Sequence, residues 1–66
     1  KGDIKKGEAF YDKAIALDPD YEQALINKAA ILLFKKEQKE GRKLLNRVLK
    51  INPNNEQAKQ ALSQLN

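Results

Sequence analysis

The stretch LDPDYEQA at residues 17–24 decides the fold, because it returns as INPNNEQA at residues 51–58. Pro, Glu, Gln and Ala are identical in the two copies, and most of the other pairs are conservative. The offset from Pro19 to Pro53 is 34 residues. Self-similarity at a fixed period of this length is typical of helical repeat arrays. The sequence therefore indicates a binding surface built from stacked repeats, but it does not identify a partner.

Length and composition limit the classes of function. A chain of 66 residues forms one small domain at most. It contains no Cys, no His and no Thr, and Ser63 is its only Ser. A nucleophile–base pair of the familiar kinds cannot be assembled from these residues. We therefore predict no catalytic residue, no metal ligand and no cofactor. No apolar run approaches the roughly 20 residues that span a bilayer, so we expect no membrane segment.

The net charge of +4 is concentrated in the middle of the chain, where cations recur at three- and four-residue spacing. We call this set the basic stripe: Lys36, Lys39, Lys43, Arg47 and Lys50. It could track phosphates or an acidic partner, or it could be a solvated face. We favour the solvated face, because no aromatic residues are interleaved for base stacking. We therefore do not expect nucleic-acid binding.

The spacing of apolar residues predicts an all-α fold with helices over 3–17, 22–35, 38–51 and 56–65. Asp18-Pro19 and residues 52–55 separate helices, and we expect Asp20 and Asn54 to cap the helices that follow. Gly7 lies on the apolar stripe of the first helix, where we expect a close approach of a neighbouring helix. Residues 35–40 contain no Gly or Pro. A turn is expected there, with a continuous helix across it as the alternative.

The second predicted helix is apolar on most of its sides. Between residues 22 and 34 only Gln23, Asn27 and Lys28 interrupt a run of apolar side chains after the opening Glu. A helix of this kind is buried on most sides or lines a binding groove. Both interpretations stay open at this point, because its apolar residues could simply pack against neighbouring repeats.

The repeat resembles the tetratricopeptide repeat (TPR) family, a class of helix–turn–helix repeats with a period of 34 residues. Lys28 and Lys36 depart from the family pattern, since an apolar residue and a Gly are usual there. The residues that match are Gly2, Asp3, Gly7, Tyr11, Ala14, Leu17, Asp18 and Pro19 in the first copy, and Ala24, Leu25, Asn27, Ala29, Leu32, Gly41, Leu45, Val48, Pro53, Asn54 and Asn55 in the second.

The resemblance implies antiparallel helical hairpins, each an A helix followed by a B helix, stacked as a right-handed superhelix. On this register residues 1–66 form one domain. Residues 3–17 are the B helix of a partial repeat, residues 22–53 are a complete repeat, and residues 56–65 are a terminal A helix.

The resemblance also implies a protein–protein interaction module that binds a peptide or helix of a partner in a concave groove lined by A helices. The carboxylate clamp of one branch of the family is not supported, because only Asn27 fits it, while Gln57 and Ala61 stand where Lys and Arg are needed. The alternative is a structural element that self-associates through exposed apolar faces, giving a homodimer. The implied partner-binding residues are Gln23, Ile26, Asn27, Ala30, Leu33, Phe34, Gln57, Gln60 and Gln64.

Overall fold

The computed structural model describes residues 3–65, which form four helices and no strand. Residues 1, 2 and 66 of the predicted domain, including the matching Gly2, lie outside the described part. The helices are α1 (Asp3–Leu17), α2 (Glu22–Phe34), α3 (Gln38–Ile51) and α4 (Glu56–Ser63). All four begin where the sequence predicts. α2 ends one residue and α4 two residues earlier than predicted, and the all-α prediction is confirmed.

Consecutive helices pack against one another, so that α2 lies between α1 and α3, and α3 lies between α2 and α4. This is the stacking of a helical-hairpin repeat fold. Leu25, Leu45 and Val48 are the largest fully buried side chains. Covering an apolar side chain of this size stabilises the fold by roughly 1.5–3 kcal/mol. The rest of the central cluster is Ile26 and Ala29 from α2 and Ala58 from α4.

The turn between α2 and α3 needs no glycine or proline. The Lys36 N–H donates to the Leu33 carbonyl at 3.0 Å, and the Glu37 N–H donates to the Leu32 carbonyl at 2.8 Å. These two bonds form the Schellman motif that ends many helices, in which the residue after the cap adopts a left-handed conformation. Lys36 has φ of 67°, so it occupies that position. The turn prediction is confirmed, and the continuous-helix alternative is wrong.

The caps lie one residue later than predicted. The residue that caps α4 is Asn55, whose Oδ1 accepts from the Ala58 N–H at 3.0 Å. Tyr21 stands at the equivalent position before α2 and makes no side-chain capping bond. Asp20 and Asn54 instead donate their backbone N–H groups to the side chains two residues earlier, Asp18 and Asn52, at 3.2 and 3.1 Å. The prediction that Asp20 and Asn54 are caps is therefore wrong, because the Asx turn takes up these residues.

Ion pairs connect α1 to α2 along their contact. Lys28, which departs from the family pattern, binds the carboxylate of Asp12. Two turns further on, just past the end of α2, the Lys35 ammonium lies 3.1 Å from a Glu8 carboxylate oxygen. The hydrogen bond to Glu8 raises the pKa of Lys35. A charged residue at position 28 is thus accommodated because the neighbouring helix supplies an acid.

Glu22 links the start of α2 to the turn before α4. Its Oε1 accepts from Asn55 Nδ2 at 3.0 Å and from Asn52 Nδ2 at 3.1 Å. Both bonds favour the ionised carboxylate, so the Asn55 bond first and the Asn52 bond second lower the pKa of Glu22. The contact spans about one repeat period and therefore fixes the position of the second turn relative to the first.

The close helix approach expected at Gly7 occurs at Gly41 instead. A Cβ on Gly7 would lie 3.6 Å from the Ile31 side chain, which is an ordinary contact distance. A Cβ on Gly41 would lie 2.8 Å from Leu33 Cδ2 and 3.3 Å from the Ala29 carbonyl oxygen. A Cβ would therefore force its neighbours to shift in α3 but not in α1.

Candidate partner-binding surface

One side of α2 faces solvent and carries four of the predicted site residues. Gln23, Ala30 and Phe34 are exposed, and Asn27 is half-buried. Their spacing of three and four residues places them on one side of the helix. Gln23 Nε2 donates to Asn27 Oδ1 at 3.1 Å, which orients both amides. We call these four residues the α2 stripe.

Two other predicted site residues face a different direction. Ile26 is only 8% exposed and belongs to the central cluster, while Leu33 is half-buried against the same cluster. Both pack into or against the central cluster and do not lie along the α2 stripe. The nine predicted residues therefore do not make one exposed surface, because Ile26 has almost no accessible area to offer a ligand.

The apolar end of the α2 stripe borders a hollow of about 270 Å³. Its lining consists of Ala30 and Phe34 from the stripe, together with Ile31 of α2 and Ile4 of α1. Phe34 is 73% exposed. The site prediction missed Ile4 and Ile31. Ile31 lies about 100° further round α2 than Ala30, so its place beside the α2 stripe could have been inferred from the sequence. The contribution of Ile4 could not, because it depends on how α1 packs against α2.

The other predicted site residues are polar and lie on α4 or just after it. Gln57, Gln60 and Gln64 are all exposed. None of the nine predicted residues carries a formal charge. The candidate surface thus combines one apolar hollow with neutral hydrogen-bonding amides.

A second apolar hollow, of about 390 Å³, lies on α1 and the turn that follows it. Phe10 is 67% and Leu17 80% exposed, whereas Ile15 is partly buried against the central cluster. We call this hollow the α1 groove, lined by Phe10, Lys13, Ala14, Leu17, Asp18 and Tyr21.

The basic stripe is exposed along its whole length. Lys43 lies 3.9 Å from the Glu40 carboxylate, so part of its charge is balanced within α3. All four aromatic residues of the chain lie outside α3. Within residues 3–65 there is no group of three or more potential metal ligands. In the same range no helix has both the length and the apolar character that crossing a membrane requires.

Comparison with known proteins gives one match. The family model described as tetratricopeptide repeat matches residues 1–65 of the chain. Neither the curated proteins nor the solved structures gave a significant match.

Proposed function

Since this chain belongs to the tetratricopeptide repeat family, we propose that it binds a peptide or helix of a protein partner along the α2 stripe and the exposed face of α4. Tetratricopeptide repeats are generally protein–protein interaction modules and non-catalytic scaffolds. On the register proposed here, α1 is a B helix, α2 and α3 make up the complete repeat, and α4 is the next A helix. The proposed groove is thus the side on which the two A helices face solvent.

The observation that supports this site is the exposed Phe34 beside its hollow. Phe34 is 73% exposed and lies beside Ile4, Ala30 and Ile31. Leaving such a large aromatic side chain in water is unfavourable, so a partner that covered it would gain binding free energy. Exposed apolar patches of this kind mark interaction sites more often than scattered single residues do. An apolar side chain of the partner would fill the hollow and remove Phe34 from water.

The other end of the α2 stripe, formed by Gln23 and Asn27, is polar. Side-chain amides both donate and accept hydrogen bonds, so Gln23 and Asn27 can pair with the backbone of an extended or helical ligand. Because no predicted site residue is charged, attraction at long range contributes little to this binding. The ligand chemistry that fits is an uncharged segment with one large apolar anchor.

The experiment is a binding measurement with a peptide selected on this chain from a random library. Phe34→Gln should weaken binding of that peptide at least tenfold in fluorescence anisotropy. The substitution leaves folding intact, because the side chain is mostly exposed. Lys43→Glu, on the basic stripe, is the matched control and should bind normally. Ile26→Glu is unsuitable, since a charge in the central cluster unfolds the domain. Undiminished binding by the Phe34 variant would remove this surface from consideration.

A second function, self-association, is favoured by the α1 groove. Two of its apolar side chains, Phe10 and Leu17, are exposed to a greater fraction than any apolar residue of α3. Pairing two copies through this groove would cover both. Sedimentation equilibrium across a range of micromolar concentrations tests it, and a monomer mass at every concentration would exclude it.

A further inference from the structure

The hollow beside Phe34 has walls from two helices that differ in how firmly they are anchored. Ile31 and Phe34 come from α2, which also supplies three residues of the central cluster, whereas Ile4 comes from α1. Among residues 4–17 of α1 none is fully buried, and of these only Ile15, far along the helix from Ile4, packs against the central cluster. The position of the Ile4 wall therefore depends on other contacts between α1 and α2.

An ion pair joins α1 to α2 one helical turn from the hollow. The Lys35 ammonium lies 3.1 and 3.2 Å from the two carboxylate oxygens of Glu8. Glu8 follows Ile4 by four residues in α1, and Lys35, just past the end of α2, follows Ile31 by four residues. Residues four apart lie on the same face of a helix. Each charge is therefore on the same face as the isoleucine that its own helix contributes to the hollow.

This ion pair is better shielded from water than the pairs within single helices. The Glu8 side chain is 21% exposed and that of Lys35 is 35% exposed, while every member of the pairs inside α3 and α4 is at least 47% exposed. Water and salt weaken an ion pair less when its charges are partly covered. The Glu8–Lys35 pair can therefore contribute to how firmly the Ile4 end of α1 is held.

We propose that the Glu8–Lys35 ion pair positions the Ile4 wall of the hollow and thereby tunes the affinity of the site for its ligand. This role rests on the function proposed above. A ligand that needs both walls binds only molecules in which α1 is docked against α2, so its apparent affinity falls with the docked fraction. Glu8 and Lys35 are thus positioning residues, and an uncharged ligand that contacts neither of them still binds more tightly when they are paired.

Charge reversal, measured with an uncharged peptide, tests this role. The probe is a peptide without charged side chains, selected on this chain from a random library and followed by fluorescence anisotropy. Glu8→Lys and Lys35→Glu each place like charges together, so each should weaken binding by about two- to fivefold, the range expected for an exposed ion pair. The double variant should regain most of the affinity, because the carboxylate introduced at position 35 then faces the ammonium introduced at position 8. Recovery is incomplete because position 35 also lies close to Glu37.

Three controls separate positioning from a general loss of stability. Asp12→Lys reverses a charge in the other ion pair between α1 and α2, eight residues from Ile4, and should change the affinity less than Glu8→Lys does. Glu37→Gln removes the 3.7 Å contact to Lys35, which does not involve α1, and should bind normally. Raising the salt to about 1 M should bring the affinities of the wild type and Glu8→Lys closer together, because screening weakens attraction and repulsion alike.

Hydrogen exchange reports on this end of α1 without any ligand. In Glu8→Lys the backbone amides of residues 7–10 should exchange faster than in the wild type, because local opening exposes their hydrogen bonds to water. The same amides should be protected again in the double variant. Unchanged exchange in Glu8→Lys would overturn the positioning role.

The outcomes separate this role from the proposed function. If Phe34→Gln binds the peptide as the wild type does, the site itself is wrong and the positioning role falls with it. If Phe34→Gln loses binding while both charge variants bind normally, the binding site stands and only the positioning role is overturned. A double variant that binds no better than the single ones, with its helicity intact in circular dichroism, would overturn the positioning role as well.

Discussion

Gly41 and Leu33 are in such close contact that α2 and α3 leave no room for a methyl group between them. A Cβ on Gly41 would lie 2.8 Å from Leu33 Cδ2 and 3.0 Å from Leu33 Cγ. The Ala29 carbonyl, 3.3 Å away on the backbone of α2, limits how far the site can relax. This contact limits how closely α2 and α3 can pack with any larger residue at position 41.

The two helical glycines should therefore respond in opposite ways to alanine. Gly7→Ala should raise the free energy of unfolding by about 1 kcal/mol, the usual difference in helix propensity, because its new Cβ makes only ordinary contacts. Gly41→Ala should lower it by about 1 kcal/mol, since overpacking costs roughly 1–3 kcal/mol and outweighs the gain in propensity. Urea unfolding of both variants measures the difference. Equal stabilisation would show that Leu33 moves aside freely.

Lys36 should be improved by glycine. Its φ of 67° lies in the left-handed region, which costs a residue with a side chain roughly 1–3 kcal/mol. Glycine removes that cost but adds freedom to the unfolded chain, so we expect Lys36→Gly to raise the free energy of unfolding by about 0.5–1 kcal/mol. Lys39→Gly, inside α3, is the control and should lower it by about 1 kcal/mol. Thermal unfolding gives both values. A loss of stability in the Lys36 variant would contradict the Schellman turn.

The Glu22 contact should make stability depend on pH. Hydrogen bonds from Asn55 and Asn52 lower the pKa of Glu22 in the folded chain. A lowered pKa means that folding favours the ionised carboxylate, so its contribution is complete above the unfolded value of about 4.3 and is lost as the pH falls through the folded value. We expect Glu22→Gln to remove part of this acid sensitivity in unfolding curves taken above and below that range.

Glu56→Gln provides the matched control for the pH experiment. Glu56 occupies the same repeat position, but its carboxylate lies 3.8 Å from Lys59 and is not held by asparagine amides. Its variant should keep the acid sensitivity of the wild type. If Glu22→Gln and Glu56→Gln change the pH dependence of stability equally, the hydrogen bonds from Asn52 and Asn55 to Glu22 are not its cause.

The basic stripe should bind polyanions only weakly. Its five cations are exposed on α3 and the turn before it, where ions screen them over a Debye length of about 8 Å at physiological salt. Binding of duplex DNA should therefore be detectable at low salt and vanish near physiological salt. A filter-binding titration in which affinity stayed submicromolar at physiological salt would identify a genuine nucleic-acid surface.

The sequence by itself determined the helices, because their signals are local. Apolar spacing of three and four residues and the recurring Asx-Pro turns predicted where every helix begins. Local signals were also enough to predict a turn near residue 36 without a helix breaker. They were not enough for the caps, since Asn54 and Asn55 both have suitable side chains and the choice between them depends on the geometry of the turn.

Only the tertiary structure decided which faces of the helices stay open. Ile26 and Ala30 read alike in the sequence, yet one lies in the central cluster and the other faces solvent, because α3 and α4 cover one side of α2 and leave its neighbour bare. Gly7 and Gly41 likewise occupy the same repeat position, and the distance to the next helix makes glycine necessary at one and dispensable at the other. Burial and close approach depend on residues distant in the chain, which no local pattern specifies.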